Sequence, residues 1–292
     1  MLWSLSNRLP GTTIGELVTR RFVPRIAVFT ACIVLALAFA LPATASAEGY
    51  SALTLMKTSA VKDTKSLVTY PGHKSKLKVA LYGNRTLDLT WKSSNPKVAK
   101  VNQKGTVRGK KIGRCYITAS NEYGSVKVLV EVTSAKAYQA VRNGFADMQT
   151  KIVYSQAKRM QKYYRDCSSF VSRCYWDPKL GRKLFVIGDS WAQTWALPAA
   201  DQAKWLNSKG KRVSWKACSV KKLRPGDTLY FETDYAGKDK TQWRYIDHAA
   251  LYVGNGYVLD TDGSGGKGEI GYRWRKYYQG DKKIKFIGRP CP

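Results

Sequence analysis

Asp166-Cys167-Ser168-Ser169-Phe170-Val171, continued by Ser172-Arg173-Cys174-Tyr175, sets a short acidic residue before a run with Phe170, Val171, Cys174 and Tyr175 on one helical face. Asp is a favoured N-cap because its carboxylate accepts backbone N–H groups that the first turn leaves unpaired. The spacing therefore predicts a helix that opens at Cys167. A sulfur in that position faces the remaining N–H groups and the positive end of the helix, an environment that favours thiolate, and Arg165 adds positive charge nearby. Two readings follow from this stretch alone. Cys167 is either a nucleophile at the head of a helix or one more apolar residue in a packed stripe.

The nucleophile reading needs a base, and the chain has two His. His73 lies in the turn-like Pro71-Gly72-His73-Lys74. His248 opens the stretch His248-Ala249-Ala250-Leu251-Tyr252-Val253-Gly254-Asn255-Gly256-Tyr257-Val258-Leu259-Asp260, which reads as a β-hairpin with Gly254-Asn255-Gly256 at its tip. Alternation puts Ile246, His248, Ala250 and Tyr252 on one face, and small Ala250 leaves room beside the ring. The turn decides whether Asp260 can orient that ring. A two-residue Asn255-Gly256 loop pairs Ala250 with Thr261 and turns Asp260 away. A three-residue loop, with Gly256 left-handed in a bulge, pairs Val253 with Tyr257 and Ala250 with Asp260, making His248 and Asp260 diagonal neighbours. The catalytic reading thus predicts a bulged turn, with Asp247 and Asp262 as fallback partners. Without such partners His248 is a structural strand residue.

The blocks D-C-S-S-F-V, then L-R-P-G-D-T-L-Y-F (Leu223 to Phe231), then H-A-A-L-Y-V-G-N-G-Y-V-L-D, in that order, resemble an NlpC-type cell-wall cysteine peptidase, a relative of papain. The resemblance spans Tyr154 to Asp260. It implies Cys167 as nucleophile, His248 as general base and Asp260 as the group that orients the imidazole, a place held by His in many members. It further implies Tyr154 at the oxyanion and Asp166 and Ser168 against the substrate peptide, although the paired Gly that usually follows the Tyr is replaced by Ser155-Gln156. Capping is the other role open to Asp166 and Ser168. The implied substrate is the γ-D-glutamyl–diamino acid bond of peptidoglycan stem peptides, with no metal and no cofactor. The residues by themselves specify only an amide.

Upstream the pattern changes. Leu77-Lys78-Val79-Ala80-Leu81, Leu87-Asp88-Leu89-Thr90-Trp91 and Ser125-Val126-Lys127-Val128-Leu129-Val130-Glu131-Val132 alternate between turn signals, as in a small antiparallel sandwich. The segment W-K-S-S-N-P-K-V-A-K-V-N-Q-K-G-T-V-R-G, Trp91 to Gly109, with Gly113 and Ile117-Thr118-Ala119, resembles the bacterial immunoglobulin-like group 2 domain. Such domains are spacers or adhesion modules, and Trp91 is expected in the core. A helix follows, with Ala137, Val141, Phe145 and Met148 as its apolar stripe.

At the start, Ile26 to Leu41 is a sixteen-residue apolar run broken by Thr30, with Arg8, Arg20, Arg21 and Arg25 before it and Ala43-Thr44-Ala45-Ser46-Ala47 after it. This reads as an export signal cut after Ala47, since the run is shorter than the ~20 residues that span hydrocarbon. The expected organisation is therefore 1–47 signal, 48–135 immunoglobulin-like sandwich and 136–292 an α+β, papain-like catalytic domain. A length of 292 residues suits about two domains of ~100–200 residues each.

The formal charge is +30, and loss of residues 1–47 removes four Arg and one Glu to leave +27. The excess is spread over both domains without a Lys/Arg run of nucleic-acid type. On an exported chain this fits peptidoglycan and anionic cell-wall polymers as partners of a secreted, wall-associated monomer. Solubility alone is the plainer explanation of such charge. Two other functions use the same features: a wall-binding or adhesion protein without activity, and an acyltransferase or deamidase built on the same Cys and His. Trp191, Trp195, Trp205 and Trp215 either wall a substrate cleft or pack, and a helix is expected from Pro198 to Leu206. Among Cys115, Cys174, Cys218 and Cys291, a Cys218–Cys291 bridge is one possible pairing.

Overall fold

The alternating stretches of the first domain fold into β1 (Leu53–Met56), β2 (Ser66–Thr69), β3 (Lys74–Lys76), β4 (Lys78–Leu81), β5 (Thr90–Ser93), β6 (Ala99–Val101), β7 (Thr106–Gly109), β8 (Gly113–Asn121) and β9 (Gly124–Val132). The structure is a computed structural model, and it describes residues 53–56, 66–81, 88–122, 124–150, 152–177, 182–185, 187–188, 196–213, 222–233, 241–261, 273–276 and 283–292. A four-stranded sheet of order β2-β9-β8-β5 and a three-stranded sheet β3-β7-β6 enclose Leu67, Leu77, Trp91, Val107, Ile117 and Val130. Trp91 is buried there, as its place in the motif implies. Gly105 makes this packing possible. Its φ is +74, and a Cβ in its place would lie 2.8 Å from the Trp91 ring.

One pairing departs from the expected antiparallel sandwich: β2 runs parallel to β9. Alternation and turns identify strands joined by hairpins. A parallel pair instead needs a long crossover, and here the intervening strands supply it.

Ser134 caps the next helix, α1 (Ala135–Met148), its side chain accepting from the Ala137 N–H at 3.3 Å. The buried stripe is broader than the sequence suggested, running through Ala137, Tyr138, Ala140, Val141 and Gly144, with Phe145 and Met148 partly buried against the same core. Then come β10 (Val153–Tyr154), β11 (Tyr164–Arg165), α2 (Cys167–Cys174), β12 (Trp176–Asp177), β13 (Arg182–Lys183), α3 (Ala199–Ser208), β14 (Thr228–Glu232), β15 (His248–Gly254), β16 (Tyr257–Asp260), β17 (Arg273–Lys276) and β18 (Lys283–Gly288).

Strands β14 to β18 make one antiparallel sheet of order β17-β16-β15-β14-β18. Period two sends Ala249, Leu251 and Val253 of β15 into a core with Val141 of α1, Phe170 and Val171 of α2 and Ala203 and Leu206 of α3. Ala250 and Tyr252 join Leu229, Phe231, Val258 and Ile287 on the opposite face. Ile246 does not share the His248 face, as the alternation suggested. It precedes the strand, out of the pleat, and packs on the helix side. Burying a side chain such as Phe170 stabilises the fold by about 1.5–3 kcal/mol, so the α2–β15 contact is held firmly.

Cys291 is a free, half-buried thiol, so the Cys218–Cys291 bridge is not formed; burial pushes the Cys291 thiol up to about 11, and Cys218 lies outside the described residues. Among the described residues no helix is long and apolar enough to cross a membrane. The apolar run Ile26–Leu41 also lies outside them.

Candidate active site

Helix α2 opens at Cys167. The Asp166 carboxylate accepts the Ser169 N–H at 2.7 Å, and the Ser169 hydroxyl accepts the Asp166 N–H at 2.9 Å, closing a capping box. The Ser168 hydroxyl donates to Asp166 Oδ1 at 3.1 Å. Arg159 Nη1 pairs with Asp166 Oδ2 at 3.0 Å. Asp166 and Ser168 are thus buried and occupied with the helix terminus, the capping role that their types allowed.

The charge expected from Arg165 is spent elsewhere. Its guanidinium is buried against Asp147 (Nε to Oδ2 3.2 Å) and donates to the carbonyls of Gln161, Lys162 and Tyr164. Arg159, seven residues before Asp166, is the cation that sits beside the helix cap. Tyr154 comes close through the backbone: β10 pairs in parallel with β11, setting Tyr154 opposite Arg165, two residues before Cys167. The Tyr154 hydroxyl accepts from the Gln156 amide at 3.3 Å.

His248 begins β15 opposite Phe231 of β14, and the two rings are tilted with centroids 5.9 Å apart. The Cys167 Sγ lies 4.0 Å from the Asp247 carbonyl and makes a side-chain hydrogen bond with His248. His248 Nε2 meets Asp260 Oδ2 at 3.0 Å, which leaves Nδ1 as the nitrogen that serves the sulfur. Cys167 and His248 are each 7% exposed and Asp260 is fully buried. Burial works against charge on the imidazole, but its interactions with Cys167 and with the Asp260 carboxylate outweigh it and raise its pKa to about 9. The three residues singled out in the sequence are therefore brought together.

The hairpin achieves this by a route the sequence reading did not foresee. Leu251 opposes Leu259 and Tyr252 opposes Val258, the register that sets Ala250 across from Asp260. At the tip, however, Gly254 opposes Tyr257 around a two-residue Asn255-Gly256 turn with both φ positive, 49 and 82. A one-residue shift between Tyr252 and Gly254 reconciles the two. The bulge sits in the strand at Val253-Gly254, with Gly254 at φ +113, and not at Gly256.

Of the fallback partners, Asp247 is committed to Thr233, accepting from its N–H at 2.9 Å and its hydroxyl at 2.7 Å, and Asp262 lies outside the described residues. Trp205 of α3 packs edge-on to Phe185 at 5.9 Å, while Trp191, Trp195 and Trp215 lie outside the described residues. The expected Pro198–Leu206 helix is α3, with Pro198 at its N-cap. A residue that sequence reasoning missed is Gln202. Fully buried on α3, it donates to the Ser168 carbonyl at 2.8 Å and the Ser172 hydroxyl at 2.9 Å and accepts from the Tyr230 hydroxyl at 3.2 Å. A polar residue at a core position of an amphipathic helix was its only signal. Among the described residues no group of three or more His, Cys, Asp or Glu is arranged to hold a metal ion.

Comparison with known proteins identifies the first domain. The family model for the bacterial Ig-like domain (group 2) matches residues 57–132. No curated protein matches the chain. Among solved structures it is similar to NlpC2 from Trichomonas vaginalis, at 15% identity and TM-score 0.37, covering 64% of this chain and 64% of that one. NlpC1 from Trichomonas vaginalis gives 13% identity and TM-score 0.38, covering 74% and 71%. Domains 4 and 5 of the S-layer protein SbsC give 25% identity and TM-score 0.23, covering 28% and 51%. The chain thus spans about two thirds of the NlpC proteins it matches, at a weak overall likeness, and the chemistry of the site is read from its own geometry.

Proposed function

We propose that the chain is a secreted, wall-associated cysteine peptidase that hydrolyses amide bonds in peptidoglycan stem peptides. The γ-D-glutamyl–diamino acid bond is the target implied by the resemblance to NlpC-type peptidases. In this reading residues 136–292 are a papain-like catalytic domain, and the Ig-like domain and diffuse positive charge keep it at anionic wall polymers. One observation carries the reading: a sulfur at a helix N-terminus bonded to a buried imidazole whose other nitrogen is held by a buried carboxylate.

The chemistry follows from that series. The Cys167 thiolate attacks the scissile carbonyl carbon, and the carbonyl oxygen takes the displaced electron pair. The first-turn N–H of Cys167 and the Tyr154 hydroxyl donate to that oxyanion. Nδ1–H of His248 protonates the leaving amine, the C–N bond breaks and the acyl group remains on sulfur. Neutral His248 then takes a proton from water, whose oxygen attacks the thioester. Collapse frees the carboxylic acid and restores the thiolate and imidazolium. Asp260 holds the ring in the tautomer and orientation that both transfers need. Asp166 and Ser168 support this by fixing the helix terminus, and face the substrate peptide only across that cap.

Digestion of purified muropeptides by the wild type and by Cys167→Ala, read by mass spectrometry, tests the proposal. Wild type should release fragments beginning at the diamino acid, and the variant should lose on the order of 10³–10⁴-fold or more of the rate. Equal products from both enzymes, or intact muropeptides with the wild type, overturn it. A product of amide exchange or deamidation without chain scission reassigns the same residues to acyl transfer.

A further inference from the structure

The bulge that brings Asp260 to His248 is gripped from the other domain. Glu131, on β9 of the Ig-like sandwich, is 1% exposed, and its Oε2 accepts the Asn255 N–H at the hairpin tip at 2.7 Å. Its Oε1 takes Arg114 Nε at 2.7 Å and Nη2 at 2.6 Å. Arg114 Nη2 also donates to the Leu223 carbonyl at 2.8 Å and to the Tyr252 hydroxyl at 3.2 Å. That hydroxyl in turn accepts the Gly256 N–H at 3.1 Å. The carboxylate lies so close that a Cβ on Gly254 would stand 2.4 Å from Oε2. Both backbone N–H groups of the turn, and the φ of +113 at the bulge, are therefore fixed by an acid–base pair that spans the domain boundary.

We propose that Glu131 is a positioning residue for the Cys167–His248–Asp260 series: it holds the Asn255-Gly256 turn and the Gly254 bulge so that Ala250, and not its neighbour in register, opposes Asp260. The proposal rests on the peptidase reading only for its consequence in turnover. The geometric argument is independent of it. A hairpin that slips by one residue at Val253 pairs Ala250 with Thr261 and points Asp260 to the far face. The turn alone favours that slipped register, because a two-residue Asn-Gly loop continued without a bulge gives it. The force that selects the bulged form has to act at the tip, and Glu131 is the buried group that bonds there. Thr133 Oγ1, which donates to the Pro225 carbonyl at 2.8 Å, and the stacked Tyr70 and His73 rings against Tyr138 of α1 hold the two domains in the same relation. The Ig-like domain is on this argument part of the catalytic unit, beyond any role as a spacer.

The test uses the full chain and the fact that it has only two His, so that the His248 ring protons are assigned by NMR against a His73→Gln control. In the wild type His248 should titrate near pH 9. In Glu131→Ala its titration should move down by a unit or more, and kcat on muropeptides should fall about ten-fold or more with KM changed less than three-fold. Glu131→Gln keeps an oxygen for the Asn255 N–H and should restore most of the titration and rate. If Glu131→Ala does not fold, Glu131→Asp, which withdraws the carboxylate by one methylene, should show the same downward shift. A folded Ala or Asp variant whose His248 titrates as in the wild type overturns the proposal, whatever its melting temperature. Wild type that titrates as expected but cleaves nothing removes the peptidase reading and leaves the positioning role standing.

Discussion

Asp260 Oδ2 lies 3.0 Å from His248 Nε2, with the carboxylate wholly buried and twelve residues away along a hairpin. The pair is diagonal across β15 and β16. It exists only in the bulged register, so the chemistry of the site depends on a backbone irregularity. An ionised carboxylate in this place does two things: it fixes which imidazole nitrogen faces Cys167, and it lowers the energy of the imidazolium.

Asp260→Asn keeps the shape and removes the charge. Its kcat/KM on muropeptides should fall by about 10²–10⁴-fold, because the amide stabilises the cation less and can hold the wrong tautomer. Cys167→Ala should be more severe, since it removes the bond-forming atom. Steady-state rates of the two variants side by side check this, and an Asp260→Asn enzyme of wild-type rate would remove the orienting role.

The pH profile follows from the same bond. With the pKa of His248 raised to about 9, the ring stays protonated through the neutral range and loses its proton only as pH climbs through that value. The rate of wild-type turnover should therefore fall on the alkaline side near pH 9, and in Asp260→Asn the fall should begin at lower pH. The sign for stability is the same. A raised pKa adds stability that is complete below the ordinary value of 6.5 and vanishes as pH rises through about 9. Urea melts between pH 6 and 10 should show wild type losing this increment while His248→Gln does not.

The helix that opens at Cys167 and the hairpin were legible because they rest on local rules. A capping Asp, a stripe at helical spacing, period-two alternation and an Asn-Gly turn each act within a few residues. The β2–β9 parallel pairing and the bulge at Gly254 were not, since each depends on a segment far away in sequence. Glu131 illustrates why. In Val130-Glu131-Val132 an acid between two Val falls on the face opposite the Val stripe, and the distant chain that buries it leaves no trace in the alternation. Arg165 erred in the opposite direction: its position promised charge at the thiol, and Asp147, eighteen residues upstream, takes that charge away.

Gln202 ties α3 to the helix that carries Cys167. Gln202→Leu preserves volume but leaves the buried Tyr230 hydroxyl without its acceptor and frees the Ser168 carbonyl, which should cost about 1–3 kcal/mol of stability. The transition midpoint in urea should drop accordingly with an unchanged slope. A melt superimposable on the wild type would show that water replaces the tie.

The last expectation concerns the wall. The formal charge of +30 is spread along the chain without a single basic run, and exposed charges interact over a distance set by salt, about 8 Å at 0.15 M and about 3 Å at 1 M. Attraction to an anionic polymer should therefore be largely lost between these concentrations. Contacts of a bound stem peptide with the residues around Cys167 would depend on shape and hydrogen bonds and should change less. Sedimentation of Cys167→Ala with isolated cell walls separates the two contributions, because this variant lacks the thiol that the proposed cleavage of the support requires. Most of the bound protein should be released at 1 M salt, and walls stripped of anionic polymers should retain less at 0.15 M. Retention unaffected by both treatments would assign wall attachment to specific recognition by one of the domains and leave the charge as a determinant of solubility.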